Sequence, residues 1–120
     1  MDFNDHQPTY IQIMDLIKFR IIRGELKPGD KLPAVREIAG DLKVNPNTVQ
    51  RSYSDLEREG ILLSQRGVGS FVVDNKEMFD RLREEMAKDI VQSFVEDMNN
   101  LGFPRDKSIT LIKESWVNND

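Results

Sequence analysis

A polar face runs along the stretch between Asn45 and Gly60, which is predicted to be a helix. At about 100° per residue, with the apolar residues of this stretch turned inward, the outward positions can be assigned. They are Asn47, Arg51, Ser54 and Arg58. Amides and guanidinium groups can form paired hydrogen bonds to adenine and guanine edges, and hydroxyl groups suit phosphate oxygens. No acid lies on this stripe, and Thr48 and Gln50 flank it. The face therefore favours hydrogen bonding to DNA.

The elements that precede this face are predicted to form a helix-turn-helix. Pro8 opens a first helix, and Gly24 ends it. The apolar stripe of this helix is Tyr10, Met14, Ile17 and Ile21. Pro33 starts a second, shorter helix, and after a break at residues 43–44 the N-cap residue Asn45 begins the third. Two helices joined by so few residues must cross at a steep angle, as in a helix-turn-helix.

Two β-prone runs follow, at residues 61–63 and 71–73, and the polar link 64–70 between them indicates a hairpin with an extended tip. Arg66 in the link can reach a DNA groove or a phosphate, and Gly67 lets the backbone approach closely. Helix, helix, turn, helix and hairpin in this order predict a winged helix-turn-helix. Arg36 then lies where the second helix would cross the DNA backbone.

The remaining residues are predicted to form a long helix and, after Pro104, a short one. The long helix has an apolar stripe made of Phe79, Leu82, Met86, Ile90 and Phe94. Uncovered, this stripe would be an apolar patch of a size that soluble monomers rarely tolerate, so we expect it to pair with a second copy about a two-fold axis. Trp116 is expected to cover the same seam.

The predicted fold class is therefore α+β and mostly helical. A winged helix-turn-helix DNA-binding domain occupies residues 1–75, and a two-helix dimerisation or effector tail occupies residues 76–120. A small-molecule effector is compatible with such a tail, although no residue identifies one.

The composition limits the classes of function that this chain can have. The 120 residues hold 17 basic and 21 acidic side chains, but residues 1–75 are nearly balanced, with 10 and 11, so the net charge of −4 does not exclude DNA. Without cysteine there is no thiolate metal site, and neither zinc-ligand spacing nor a phosphate-binding glycine loop is found. We expect no cofactor, no metal and no enzymatic activity. With no apolar run of about 20 residues and a polar segment at residues 1–5, we expect a cytoplasmic protein outside the membrane.

Four segments together resemble the DNA-binding domain of GntR-family regulators. They are Leu32-Pro33-Ala34-Val35-Arg36-Glu37-Ile38-Ala39, Val44-Asn45-Pro46-Asn47-Thr48-Val49, Tyr53-Ser54-Asp55-Leu56-Glu57-Arg58-Glu59-Gly60 and Gly67-Val68-Gly69-Ser70-Phe71-Val72. The resemblance extends from about Pro8 to Val73 and implies a set of DNA contacts. These are Arg36, Asn45, Asn47, Thr48, Gln50, Arg51, Arg66 and Gly67. Some branches of the family carry arginine at the position of Gln50, so the choice between Gln50 and Arg51 as the base contact stays open.

The short tail is similar to that of the YtrA-type branch of the family. That resemblance implies a dimer formed by the C-terminal helices and regulation of nearby genes, often for ABC transporters. The sequence favours a repressor that binds an inverted-repeat operator on double-stranded DNA. The alternative is a winged helix that docks other proteins without binding DNA, although a docking surface would not require an acid-free polar stripe.

Overall fold

The computed structural model describes residues 6–116, and the polar segment 1–5, on which the cytoplasmic expectation partly rests, lies outside them. In the described range the chain forms five helices and one two-stranded sheet. The elements are α1 (Thr9–Ile22), α2 (Val35–Leu42), α3 (Pro46–Arg58), β1 (Leu62–Gln65), β2 (Gly69–Val72), α4 (Lys76–Asn100) and α5 (Arg105–Ser115). This confirms the predicted mostly helical winged-helix fold. The chain divides into two compact units between Arg83 and Glu84.

The core of the N-terminal unit lies where α1 packs against α3. Apolar residues at helical spacing supply it, and those least exposed are Ile13, Ile17, Val49 and Leu56. Ile38 of α2, Leu62 of β1 and Val72 of β2 are also buried, so every element before α4 contributes to one core. Of the predicted α1 stripe, Met14, Ile17 and Ile21 are buried and Tyr10 is half-buried.

The turn between α2 and α3 is tight because one residue adopts a left-handed conformation. Lys43 has φ 58°, and the Val44 amide donates to the Ala39 carbonyl at 3.0 Å. Asn45 then caps α3, since its side-chain oxygen accepts from the Asn47 amide at 2.8 Å. The predicted N-cap is thereby confirmed.

The hairpin differs from the prediction at its tip. Strand pairing runs from Leu62 opposite Val72 to Gln65 opposite Gly69, so only residues 66–68 form the turn. The expectation of an extended tip is wrong, because backbone pairing continues through polar residues that sequence patterns exclude from strands. Before α2, Lys31 forms a single bridge to Phe71, on the other edge of β2.

α4 begins in the N-terminal unit. The Asn75 side chain accepts from the Met78 amide at 2.9 Å, and Met78 and Leu82 are both buried. The second unit comprises the rest of α4 and α5, which Gly102 separates at φ +82°. None of the described helices has the length and hydropathy needed to cross a bilayer.

Candidate nucleic-acid interface

The side chains that the helical spacing places on the outward face of α3 reach the protein surface. Asn47, Arg51 and Arg58 are exposed, and Ser54 is half-buried. Arg58 pairs with Asp55 at 3.0 Å. The Gln50 amide donates to Ser54 Oγ at 3.2 Å. The face therefore offers amide and guanidinium donors, and the half-buried acid beside it is paired with an arginine.

Two buried hydroxyl groups fix α3 in place. Ser52 is 0% exposed, and its Oγ donates to the Tyr10 carbonyl oxygen at 2.7 Å, which ties α3 to the first turn of α1. Tyr53 Oη donates to the Pro33 carbonyl oxygen at 2.7 Å, which ties α3 to the segment that leads into α2. Burial, reinforced by the charge of Glu37, raises the pKa of Tyr53 to about 12. The phenol therefore stays protonated and keeps donating its hydrogen bond.

A groove separates the hairpin, or wing, from α3. Its volume is about 390 Å³, and its polar lining includes Gln50, Arg66 and Gly67. The structure thus brings one predicted residue of α3 and two of the wing to the same cleft. At the tip, Gly67 has φ +77°, a conformation that L side chains rarely adopt, which explains why glycine stands there.

Lys31 lines the same groove, and sequence reasoning did not identify it. Its Cε lies 2.8 Å from the position that a Cβ on Gly69 would occupy, so the lysine stem lies directly against the wing backbone. Its placement depends on the bridge from Lys31 to Phe71. A lysine before a Leu-Pro pair gives no local signal of that contact.

The other predicted DNA-binding residues lie at different places on the N-terminal unit. Arg36 is exposed in the first turn of α2, and Thr48 is half-buried in the first turn of α3. Asn45 is exposed, but its oxygen is used by the cap of α3. Arg51 is not among the residues of the wing groove, because its guanidinium carbon lies 3.6 Å from the centre of the Tyr10 ring.

The second unit has an apolar groove of its own. Of the residues predicted for a dimer seam, Phe94 lies in this groove and is half-buried, and Ile90 and Trp116 are 57% and 59% exposed. Phe79 and Met86 are half-buried, whereas Leu82 is only 3% exposed within the single chain. Leu82 is therefore a core residue of the N-terminal unit. Among the described residues, no cluster of histidine and carboxylate side chains could hold a metal ion.

Comparison with known proteins identifies the family. The family described as "Bacterial regulatory proteins, gntR family" matches residues 9–72, which is more than half of the chain and extends from α1 to the end of β2. This chain belongs to the GntR family. The members of the family are non-enzymatic DNA-binding regulators of transcription, and the prediction that the chain is not an enzyme is confirmed at that level.

Relatives of this GntR chain match almost its full length. The HTH-type transcriptional regulator YhcF of Bacillus subtilis is 44% identical over 92% of both chains. The HTH-type transcriptional repressor YtrA, also of Bacillus subtilis, is 37% identical over 95% of this chain and 88% of its own. The structure of a GntR family transcriptional regulator from Listeria monocytogenes superposes with a TM-score of 0.84, at 38% identity over 93% of this chain and 98% of that chain. The predicted YtrA-type resemblance is thereby confirmed.

Proposed function

We propose that this GntR chain is a repressor that binds an inverted-repeat operator as a homodimer. The observation that carries the proposal is the continuity of polar and cationic side chains from the outward face of α3 into the wing groove. Asn47 and Gln50 supply amides on α3, and Lys31 and Arg66 supply cations among the residues that line the groove. Repression is supported by the name of the Bacillus subtilis relative YtrA, a transcriptional repressor that aligns with 95% of the chain.

The proposed contacts divide into two kinds. α3 enters the major groove, where the amides of Asn47 and Gln50 match the donor and acceptor pair on adenine. Lys31, Arg36 and Arg66 contact phosphates, which set the register of the protein on the duplex. Asn45 and Thr48, at the start of α3, face the same backbone, and Gly67 allows the wing tip to approach it.

Dimerisation is proposed for the C-terminal tail, residues 76–120. Apolar side chains on α4 and at the C-cap of α5 remain more than two-fifths exposed in the single chain. They include Ile90, Val91, Val95 and Trp116. A second copy is the favoured occupant, because such a patch is unusual on a soluble monomer and two-fold dimers are the commonest oligomers. Phe79, Met86 and Phe94 extend this surface, from which we omit the buried Leu82. A regulator that binds the bacterial chromosome acts in the cytoplasm.

A substitution on α4 tests the homodimer. Ile90→Glu places a charge on the proposed seam at a position that is 57% exposed, so the chain should still fold. The control is Gln92→Glu, which adds the same charge at an exposed position of α4 and removes the hydrogen bond that the Gln92 amide donates to Glu96 at 3.0 Å. In sedimentation at micromolar concentration, the wild type and the control should be dimers and Ile90→Glu a monomer.

The DNA-binding part of the proposal has its own readout. Fluorescence anisotropy with a duplex selected from a random-sequence library should show that Ile90→Glu loses most of its affinity, because the two winged helices are no longer linked. Its affinity for a single half-site should stay at the wild-type value. A chain that selects no sequence and binds no duplex would instead support the protein-docking alternative.

A further inference from the structure

We propose that Tyr10 is a positioning residue for DNA recognition. Its ring holds the guanidinium of Arg51 on the side of α3 that faces α1, beside the outward face of α3. This inference rests on the proposed function and goes beyond it. Neither the predicted contacts nor the winged-helix arrangement assigns Tyr10 a part in DNA binding. The sequence places it only in the apolar stripe of α1.

The contact joins residues that are far apart in the chain. The guanidinium carbon of Arg51 lies 3.6 Å from the centroid of the Tyr10 ring, well inside the range of a cation–π interaction. Arg51 is exposed and Tyr10 is half-buried, so the ring is fixed by the fold while the charged group faces solvent. The ring therefore forms a platform beside α3.

The platform is anchored to α3 itself. Ser52, the neighbour of Arg51, is fully buried and donates through Oγ to the Tyr10 carbonyl oxygen at 2.7 Å. The backbone and the ring of Tyr10 thus contact two consecutive residues of α3, Ser52 and Arg51. A shift of α1 along α3 would break both contacts together, which couples the position of Arg51 to the packing of the core.

Charge around Arg51 leaves the guanidinium available. Asp55 lies one helical turn beyond Arg51 and pairs with Arg58 at 3.0 Å. The carboxylate is therefore paired with Arg58 and not with Arg51. When a guanidinium stacks on a ring, its N–H groups still point outward in the plane of the guanidinium. Two of them can then donate parallel hydrogen bonds to one partner.

The N–H fork of Arg51 fits a pair of hydrogen-bond acceptors on DNA. Such a pair is present on guanine, as O6 and N7, and on a phosphate, as two of its oxygens. The two are distinguishable because a base contact acts on one sequence only, whereas a phosphate contact acts on every duplex.

A double-mutant cycle on the full-length chain tests the coupling. The variants are Tyr10→Leu, Arg51→Ala and the two combined, with Tyr10→Phe as the control that keeps the ring. Anisotropy is measured with the duplex recovered from a random-sequence library and with a mixed-sequence duplex of equal length. We expect Tyr10→Leu to weaken binding about two- to fivefold, and Tyr10→Phe to bind like the wild type.

The deciding comparison is the effect of Tyr10→Leu on DNA affinity in the Arg51→Ala variant. There Tyr10→Leu should have no further effect, since the group that it positions is gone. Loss on the selected duplex alone identifies a guanine contact, and equal loss on both duplexes identifies a phosphate contact; either result supports the proposal. The same loss with and without Arg51, or no loss in Tyr10→Leu, overturns it.

A measurement without DNA separates this inference from the proposed function. In the free protein, the ring should shift the Arg51 side-chain protons upfield in NMR spectra of the wild type and Tyr10→Phe, but not of Tyr10→Leu. Absence of this shift in the wild type contradicts the inference even if DNA binding is intact. A wild type that shows the shift and binds no duplex contradicts the proposed function instead.

Discussion

Tyr53 Oη donates to the Pro33 carbonyl oxygen at 2.7 Å, across twenty residues of sequence. The bond joins the middle of α3 to the segment that enters α2, so it holds both helices of the helix-turn-helix at one crossing angle. Tyr53 is buried, and its hydroxyl satisfies a carbonyl of a residue that is itself only partly accessible. The neutral phenol of Tyr53 therefore helps to set the orientation of α3, together with the buried hydroxyl of Ser52.

Tyr53→Phe should lower the free energy of unfolding by about 1–2 kcal/mol, because the Pro33 carbonyl loses its partner while the ring keeps its packing. The pKa of Tyr53 is raised from 10.0 to about 12, so the folded state holds this proton more tightly than the unfolded state. Its contribution is complete below pH 10 and is lost as pH rises through about 12. Urea unfolding of both proteins should show a constant difference up to pH 10 that then shrinks. A difference that persists unchanged at pH 12 contradicts this account.

Local signals in the sequence were sufficient for most of the N-terminal unit. The cap at Asn45 and the inward residues of α3 follow from residue type and helical period, so both could be predicted. The strand ends could not, because pairing through Ser64 and Gln65 uses backbone groups that side-chain patterns do not report.

Residues whose roles depend on distant partners were beyond sequence reasoning. Lys31 reaches the wing groove through its bridge to Phe71, and Arg51 leaves that groove because of Tyr10, forty-one positions earlier. Leu82 has the same spacing as its neighbours on the apolar stripe, and periodicity does not distinguish a core position from a surface seam. Each of these assignments requires the tertiary contact itself.

Arg36→Ala should weaken binding to the selected and the mixed-sequence duplex alike. If Arg36 neutralises one phosphate, the slope of log affinity against log salt should become shallower by about 0.9. Arg23→Ala is the matched control, because Arg23 is an exposed arginine that pairs with Glu25 after the end of α1 and does not line the wing groove. An unchanged slope in Arg36→Ala would remove this residue from the backbone contacts.

Asn47→Ala should cost about 1–3 kcal/mol on the selected duplex and far less on mixed sequence, since a base contact is lost. The substitution leaves the cap of α3 intact, because the cap uses the backbone amide of Asn47 and the side chain of Asn45. Thermal unfolding should therefore be unchanged. Wild-type discrimination between the two duplexes in this variant would show that the recognition face is wrongly assigned.

Lys31→Met should reduce affinity for every duplex, because it removes the charge while its side chain keeps the contact with the wing backbone at Gly69. Stability should stay close to that of the wild type. Lys27→Met serves as the control, since Lys27 is an exposed lysine that does not line the wing groove. Equal effects of the two substitutions would mean that only net charge matters and that Lys31 has no specific contact.

Footprinting of the full-length chain on its selected duplex tests the central claim most directly. A homodimer whose two α3 helices occupy major grooves should protect an inverted repeat, with half-site centres about 10–10.5 base pairs or a multiple apart. Asn47→Ala should weaken protection of both half-sites equally, as two-fold symmetry requires. Protection of a single asymmetric site, or no sequence preference at physiological salt, would contradict a dimeric repressor that recognises DNA through α3.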